Sequence, residues 1–111
     1  MYARVSEFRV PLEKLQGFIS AVESVMPLIH KEAGFRAVLL LKGEGSPTLV
    51  RAISVWDSLE DLRASEKSMF LYRAISRVME FSKGFPMMEE SEVLLSDFPV
   101  PVSAKASVPT R

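Results

Sequence analysis

The stretch EAGFRAVLLLKGEGSPTLVRAISVWDSLEDLRASEKS, Glu32 to Ser68, constrains the fold more than any other part of the chain. It reads without interruption as helix end, strand, hairpin, strand and helix start. Gly34 suits the left-handed position that closes a helix. Arg36 to Lys42 and Thr48 to Trp56 are apolar, strand-forming runs, and the Gly-Glu-Gly-Ser-Pro between them has the turn chemistry and length of a hairpin, so the two should pair antiparallel. Ser58 with Asp61 resembles a capping box with Asp in place of Glu, which starts a short helix through about Ala64.

The flanking segments complete the pattern. Ala3 to Val10 interleaves apolar residues with charges, and Pro11 stops it because proline cannot donate to a ladder. Leu15, Phe18, Ile19, Val22, Val25, Met26 and Ile29 then recur at helical spacing, with Pro27 expected to kink the last turns. Ser65 or Ser68 caps a further helix whose stripe is Leu71, Ile75, Val78 and Met79, and which runs to Lys83 before Gly84 and Pro86 end it. Glu90 to Asp97 is the expected fourth strand. The order β-α-β-β-α-β is the split βαβ, or ferredoxin-like, α+β arrangement: an antiparallel sheet with helices on one face.

That arrangement leaves one sheet face open. Along Thr48 to Trp56, Leu49, Arg51, Ile53 and Val55 alternate with Val50, Ala52, Ser54 and Trp56, so neither side is plainly a solvent face. A chain of 111 residues leaves apolar surface uncovered, and a second copy is the natural cover. A homodimer with facing sheets is therefore expected. Residues 1–97 form the domain in this reading. Residues 98–111, with three prolines and no core periodicity, form an extended arm or tail.

Charge and composition exclude several partners. With 14 basic against 14 acidic residues, and the basic ones scattered, there is no electrostatic footprint for a phosphate backbone, so nucleic acid is not expected. No apolar run reaches the roughly 18 residues that span a bilayer, and the amino terminus lacks a signal-peptide pattern, so no membrane partner is expected either. Cysteine is absent, which removes thiolate chemistry and is compatible with a reducing compartment; the reading is cytoplasmic.

The order A-G-F, apolar strand, turn, second strand ending in Trp56 and acidic helix start resembles the antibiotic-biosynthesis-monooxygenase (ABM) family of dimeric α+β barrels, over roughly Ala3 to Asp97. The resemblance implies a dimeric barrel and, in the oxygenases of that family, oxidation of a small aromatic compound without metal or flavin. Those oxygenases are typified by an Asn before the motif tryptophan and a Tyr and an Arg after it. Here the corresponding positions hold Ala52, Leu62 and Ser76, with Arg77 one residue beyond, and Trp56 alone matches. The positions that would serve the haem-degrading branch fall near Phe8, Ser65 and Ile75, so haem degradation is rejected.

Candidate chemistry rests on few residues. His30, the single histidine, stands near a helix C-terminus, where an imidazolium interacts favourably with the dipole; a catalytic base is the sharper reading. Trp56, at a strand end, is either core or the wall of a pocket between sheet and helices. Tyr72, Arg73 and Arg77 are either a solvated helix face or polar tips at the mouth of that pocket. Met69, Met79, Met87 and Met88 read as adaptable packing. Glu89, Glu90 and Glu92 lack partners of metal-site type, and no Gly-rich phosphate loop is present, so no flavin, haem or tightly held transition metal is expected.

Two functions from different classes follow. One is a cofactor-independent monooxygenase acting on a small aromatic or quinol-like compound, with Trp56, Tyr72, Arg73, Arg77 and His30 as substrate contacts. The other is a non-enzymatic dimeric barrel that binds a small apolar ligand, or serves as a stress-related or partner module.

Overall fold

The computed structural model describes residues 1–99; most of the arm expected at 98–111 lies outside the described residues. Strands β1 (Tyr2–Arg9), β2 (Phe35–Lys42), β3 (Leu49–Trp56) and β4 (Met87–Glu92) form an antiparallel sheet in the order β2-β3-β1-β4. Helix α1 (Leu15–Ile29) joins β1 to β2, and α2 (Leu59–Lys67) with α3 (Met69–Val78) joins β3 to β4. This is the ferredoxin-like α+β fold, with its second helix broken in two. Short 3₁₀ turns, Leu12–Lys14 and Met79–Phe81, precede α1 and follow α3. None of the described helices is long and apolar enough to cross a membrane.

Local chemistry accounts for the breaks. The Ser58 hydroxyl accepts from the Asp61 N–H at 3.0 Å, satisfying one of the orphan donors at the start of α2. That helix runs past Ala64 to Lys67, further than the capping signal alone suggested. Ser68 adopts an extended backbone, ψ 162°, so α2 stops there, and its hydroxyl accepts from Phe70 N–H at 3.2 Å to start α3. Of the two serines offered as the cap, Ser68 does the capping; Ser65 is buried inside α2. Ser58→Ala should cost about 1 kcal/mol in a urea titration with the fold intact.

Gly34 takes a φ of +79°, but immediately before β2 rather than directly after α1. A Cβ there would run into the Asp61 carboxylate, so backbone and packing both require glycine. Pro27 falls in the last turn of α1, which ends at Ile29.

The fourth strand lies earlier than expected. Register is set by β1, whose Glu7 to Tyr2 pair with Met87 to Glu92. The Val93 N–H bonds to the Met1 carbonyl, and Leu94 and Leu95 beyond it are exposed. The apolar Val-Leu-Leu drew the strand toward itself in the sequence, whereas the paired residues are mostly polar because β4 is an edge strand. Arg63 fastens it to α2 through Glu90, at 2.9 and 3.2 Å. Hydrogen bonding from Arg63 holds the Glu90 carboxyl below its ordinary range. This tie is in place at neutral pH and is lost as the pH falls through the acid range and Glu90 takes up its proton.

Alternation in the strands sorts the two faces. Tyr2, Arg4, Ser6 and Phe8 of β1, with Val50, Ser54 and Trp56 of β3, point under the helices. Val5, Ile53, Leu39 and Leu41 belong to the other face, where no described element covers them and Leu39 remains 53% exposed. Beneath the helices the core is in two parts. One gathers Phe8, Val10, Phe18, Val50 and Val78; the other gathers Ile29, Trp56, Leu62 and Phe70.

Candidate functional site

A cavity of about 90 Å³ lies where those two parts of the core meet. Val22, Val25, Met26 and Ile29 of α1 form one wall, and Phe70, Leu71, Ala74, Ile75 and Val78 of α3 another. Its floor is the sheet, through Arg4, Ser6, Phe8, Val38 and Ser54. Met88 of β4, 40% exposed, is the most exposed part of a lining in which Val22, Met26, Val38, Leu71, Ala74 and Ile75 are half-buried. Cavities of roughly 150 Å³ lined by aliphatic and aromatic groups take up a benzene ring, so this one suits a small ring once Met26 or Met88 shifts. It is open to solvent, as are the other hollows, such as that between Arg9, Pro11, Thr48 and Lys83.

What sets the cavity apart is a buried cation. Arg4 is 4% exposed. Its Nη2 donates to the Leu62 carbonyl at 3.0 Å and to the Ser65 hydroxyl at 2.8 Å, and meets a Glu66 carboxylate oxygen at 3.5 Å, which ties β1 to α2. Its Nε is buried without a hydrogen-bond partner among the described residues. Burial pushes the Arg4 pKa down and Glu66 works against the shift, yet a guanidinium stays charged at any ordinary pH. The guanidinium carbon also sits 5.8 Å from the centre of the Trp56 ring, within cation–π range.

Trp56 is fully buried, 0% exposed, and packs with Ile29, Leu62 and Phe70, behind the cavity rather than on its surface. It acts on the lining through one bond, its Nε1–H donating to the Ser54 hydroxyl at 2.9 Å. An indole nitrogen can only donate, so Ser54 is fixed as acceptor there and keeps its own hydrogen for another partner. Ser54 faces Arg4 across the β1–β3 ladder, and Ser6 follows Arg4 on the same side of β1. Two hydroxyls and a guanidinium therefore neighbour one another on the sheet beneath the helices, while the surface shown to the hollow is almost wholly apolar.

The remaining residues singled out in the sequence are spread over the surface. Tyr72 is 68% exposed, and Arg73 is exposed beside it on the outer side of α3. Arg77 reaches across to α1, donating to the Ser24 carbonyl at 3.0 Å and meeting the Ser24 hydroxyl at 3.2 Å. His30 is exposed at the end of α1, where its ring stacks on Phe35 at 5.5 Å. The structure does not gather these four around Trp56. Of the positions compared with the family's donors, Ala52 is half-buried in β3, Leu62 is core and Ser76 lines an exposed groove. Among the described residues no group of three His, Cys, Asp or Glu is placed to hold a metal ion.

Arg4 was passed over in the sequence as one of many scattered basic residues. The signal was its position: alternation along Tyr2, Arg4, Ser6, Phe8 puts it on the same side as Phe8 and Trp56, the side that the helices must cover. A charge on a core-facing strand position rarely stays buried without a partner.

Comparison with known proteins agrees with this architecture. The family described as antibiotic biosynthesis monooxygenase matches residues 1–75. No curated protein matches the chain in sequence. A Bordetella bronchiseptica protein that carries a provisional antibiotic-biosynthesis-monooxygenase name superposes with a TM-score of 0.75 at 16% identity, over 85% of this chain and 97% of that one. A variant of SnoaB, a cofactor-independent oxygenase from Streptomyces nogalater, superposes at 0.70 with 19% identity, over 86% and 94%. A conserved protein from Methanosarcina mazei gives 0.70 at 17% identity, over 80% and 88%. At these identities the likeness is one of fold.

Proposed function

Since the chain belongs to the antibiotic biosynthesis monooxygenase family, we propose that it is a homodimeric, cytoplasmic, cofactor-independent monooxygenase that oxidises a small aromatic or quinol-like compound. Residues 1–97 make up the working domain in this reading, and the cavity between sheet and helices is its site. The observation that carries it is the buried Arg4 on the floor of that cavity, beside the hydroxyls of Ser54 and Ser6. SnoaB, a cofactor-independent oxygenase, supplies the precedent for oxygenation without a cofactor on this fold.

The chemistry asks little of the protein beyond binding. A phenol-type ring reacts with one O₂ so that one oxygen atom becomes a quinone carbonyl and the other leaves as water, the ring supplying the electrons. The reactive form is the electron-rich anion, which an apolar, water-poor cavity with a few fixed donors stabilises. Donors at Arg4, Ser54 and Ser6 would take the part that the family's Asn, Tyr and Arg positions, here Ala52, Leu62 and Ser76, leave open. Trp56 would support the site from behind by orienting Ser54. Tyr72, Arg73, Arg77 and His30 would contact a substrate portion that projects from the cavity. Oxygen uptake with a monohydroxylated ring such as 1-naphthol, followed against a protein-free control, is expected to rise at least tenfold, with one atom of ¹⁸O₂ appearing as the new carbonyl of the 1,4-naphthoquinone. Ligand binding in the cavity without oxygen uptake would instead support the second function, a dimeric barrel that binds a small apolar ligand.

A further inference from the structure

Resting on that reading of the cavity, we propose that Met88 sets the size of ring the cavity accepts, its side chain swinging out of the lining to admit a second ring. At about 90 Å³ the cavity falls short of the roughly 150 Å³ that holds a benzene ring, so an aromatic ligand must displace part of the wall. Packing decides which side chain yields. Phe8, Val25, Ile29, Phe70 and Val78 are buried, and moving any of them opens the core. Val22, Met26, Leu71 and Ala74 each pack against that core. On the floor, the Arg4 guanidinium is held by the Leu62 carbonyl and the Ser65 hydroxyl, and Ser54 by Trp56. Val38 and Ile75 are half-buried but branched at Cβ, with little freedom at χ1.

Of the lining, Met88 alone combines a long unbranched side chain with a place outside both parts of the core. At 40% exposed, it already has part of its surface in water, so withdrawing the rest costs less than moving a buried side chain. Its backbone, by contrast, is held. Met88 stands opposite Ser6 on the β1 ladder, and Glu90, two positions on and on the same face, is gripped by Arg63 at 2.9 and 3.2 Å. A fixed Cα under a mobile side chain gives a wall that yields while the strand stays in place. The displaced thioether can still touch the edge of the incoming ring, a favourable sulfur–aromatic contact.

Affinities for phenol and 1-naphthol, measured in the absence of oxygen by amide chemical-shift titration of the full chain, test the proposal. In the wild type the shifts are expected to centre on Met88, Phe70 and Ser6. Met88→Ala, which clears the side chain, is expected to raise the affinity for 1-naphthol relative to phenol by about tenfold, the discrimination that a methylene group exerts in an apolar pocket. Met88→Ile, still apolar but stiff at χ1, is expected to lower that ratio by a similar factor. Met26→Ala, on the α1 wall, is expected to destabilise the fold and to move the ratio less than Met88→Ala does. A ratio unmoved by both Met88 variants, or moved more by Met26→Ala, would overturn Met88 as the size limit and leave the cavity reading standing. No binding of either probe, or shifts confined to the groove at Arg9 and Lys83, would overturn both.

Discussion

Trp56→Ala is expected to lower stability by about 4 kcal/mol, the loss typical of removing a large aromatic from a core. The side chain is fully buried against Ile29, Leu62 and Phe70, and joins β3 to α1, α2 and α3 at once. Its removal also leaves the Ser54 hydroxyl without its donor and Arg4 without the ring beside it. Small domains are stable by roughly 5–15 kcal/mol, so the variant should unfold well below the wild type, by about 15–25 °C in a thermal melt. Trp56→Phe separates packing from positioning. It keeps most of the volume, is expected to cost about 1–2 kcal/mol, and still removes the N–H that fixes Ser54. A melt unchanged by Trp56→Ala would show that the tryptophan is not the keystone of this half of the core.

The second large effect concerns the uncovered sheet face. Ile53 of β3 stands between Val5 of β1 and Leu39 of β2 in one cross-sheet row, and Leu39 and Leu41 are exposed. If a second copy covers this face, as proposed, Ile53→Asp buries an unpaired carboxylate in the middle of the interface. Penalties of this kind run to several kcal/mol, so the dissociation constant should rise at least a hundredfold, about 3 kcal/mol. The monomer itself should tolerate the change better, since Ile53 is only half-buried within one chain. Sedimentation velocity across a range of micromolar concentrations is expected to show a dimer for the wild type and a monomer for Ile53→Asp. A wild type that sediments as a folded monomer, or an Ile53→Asp variant as dimeric as the wild type, would remove this face as the interface. The Glu7–Arg51 pair on the same face, at 3.0 Å, would then remain a surface ion pair of small consequence.

Much of the fold was legible because its signals are local. The hairpin from Arg36 to Trp56, the Ser58 cap and the helical stripe from Leu15 to Ile29 each depend on residues close in sequence, and each is present, although α2 runs three residues past Ala64 and α3 stops at Val78, short of Lys83. The larger departure is β4. Its residues Met-Met-Glu-Glu-Ser-Glu carry no strand pattern of their own, and only the ladder with β1 selects them over the more apolar Val-Leu-Leu that follows. The site was the least legible part. Tyr72 and Arg73 looked promising by residue type, yet the face of α3 that meets the sheet is set by Phe70, Ala74 and Val78, which turns those two outward.

Sequence by itself determined the element order, the antiparallel hairpin, the helix starts and the existence of one sheet face without helices, because periodicity and turn chemistry act over a few residues. Tertiary structure alone decided which charge is buried. Arg4 becomes the floor of a cavity only when α2 brings Leu62, Ser65 and Glu66 to its Nη2 and β3 sets Ser54 opposite it. Those partners lie some sixty positions away along the chain, and nothing in the immediate surroundings of Arg4 encodes them, since long-range packing rather than local pattern fixes how a buried polar group is satisfied.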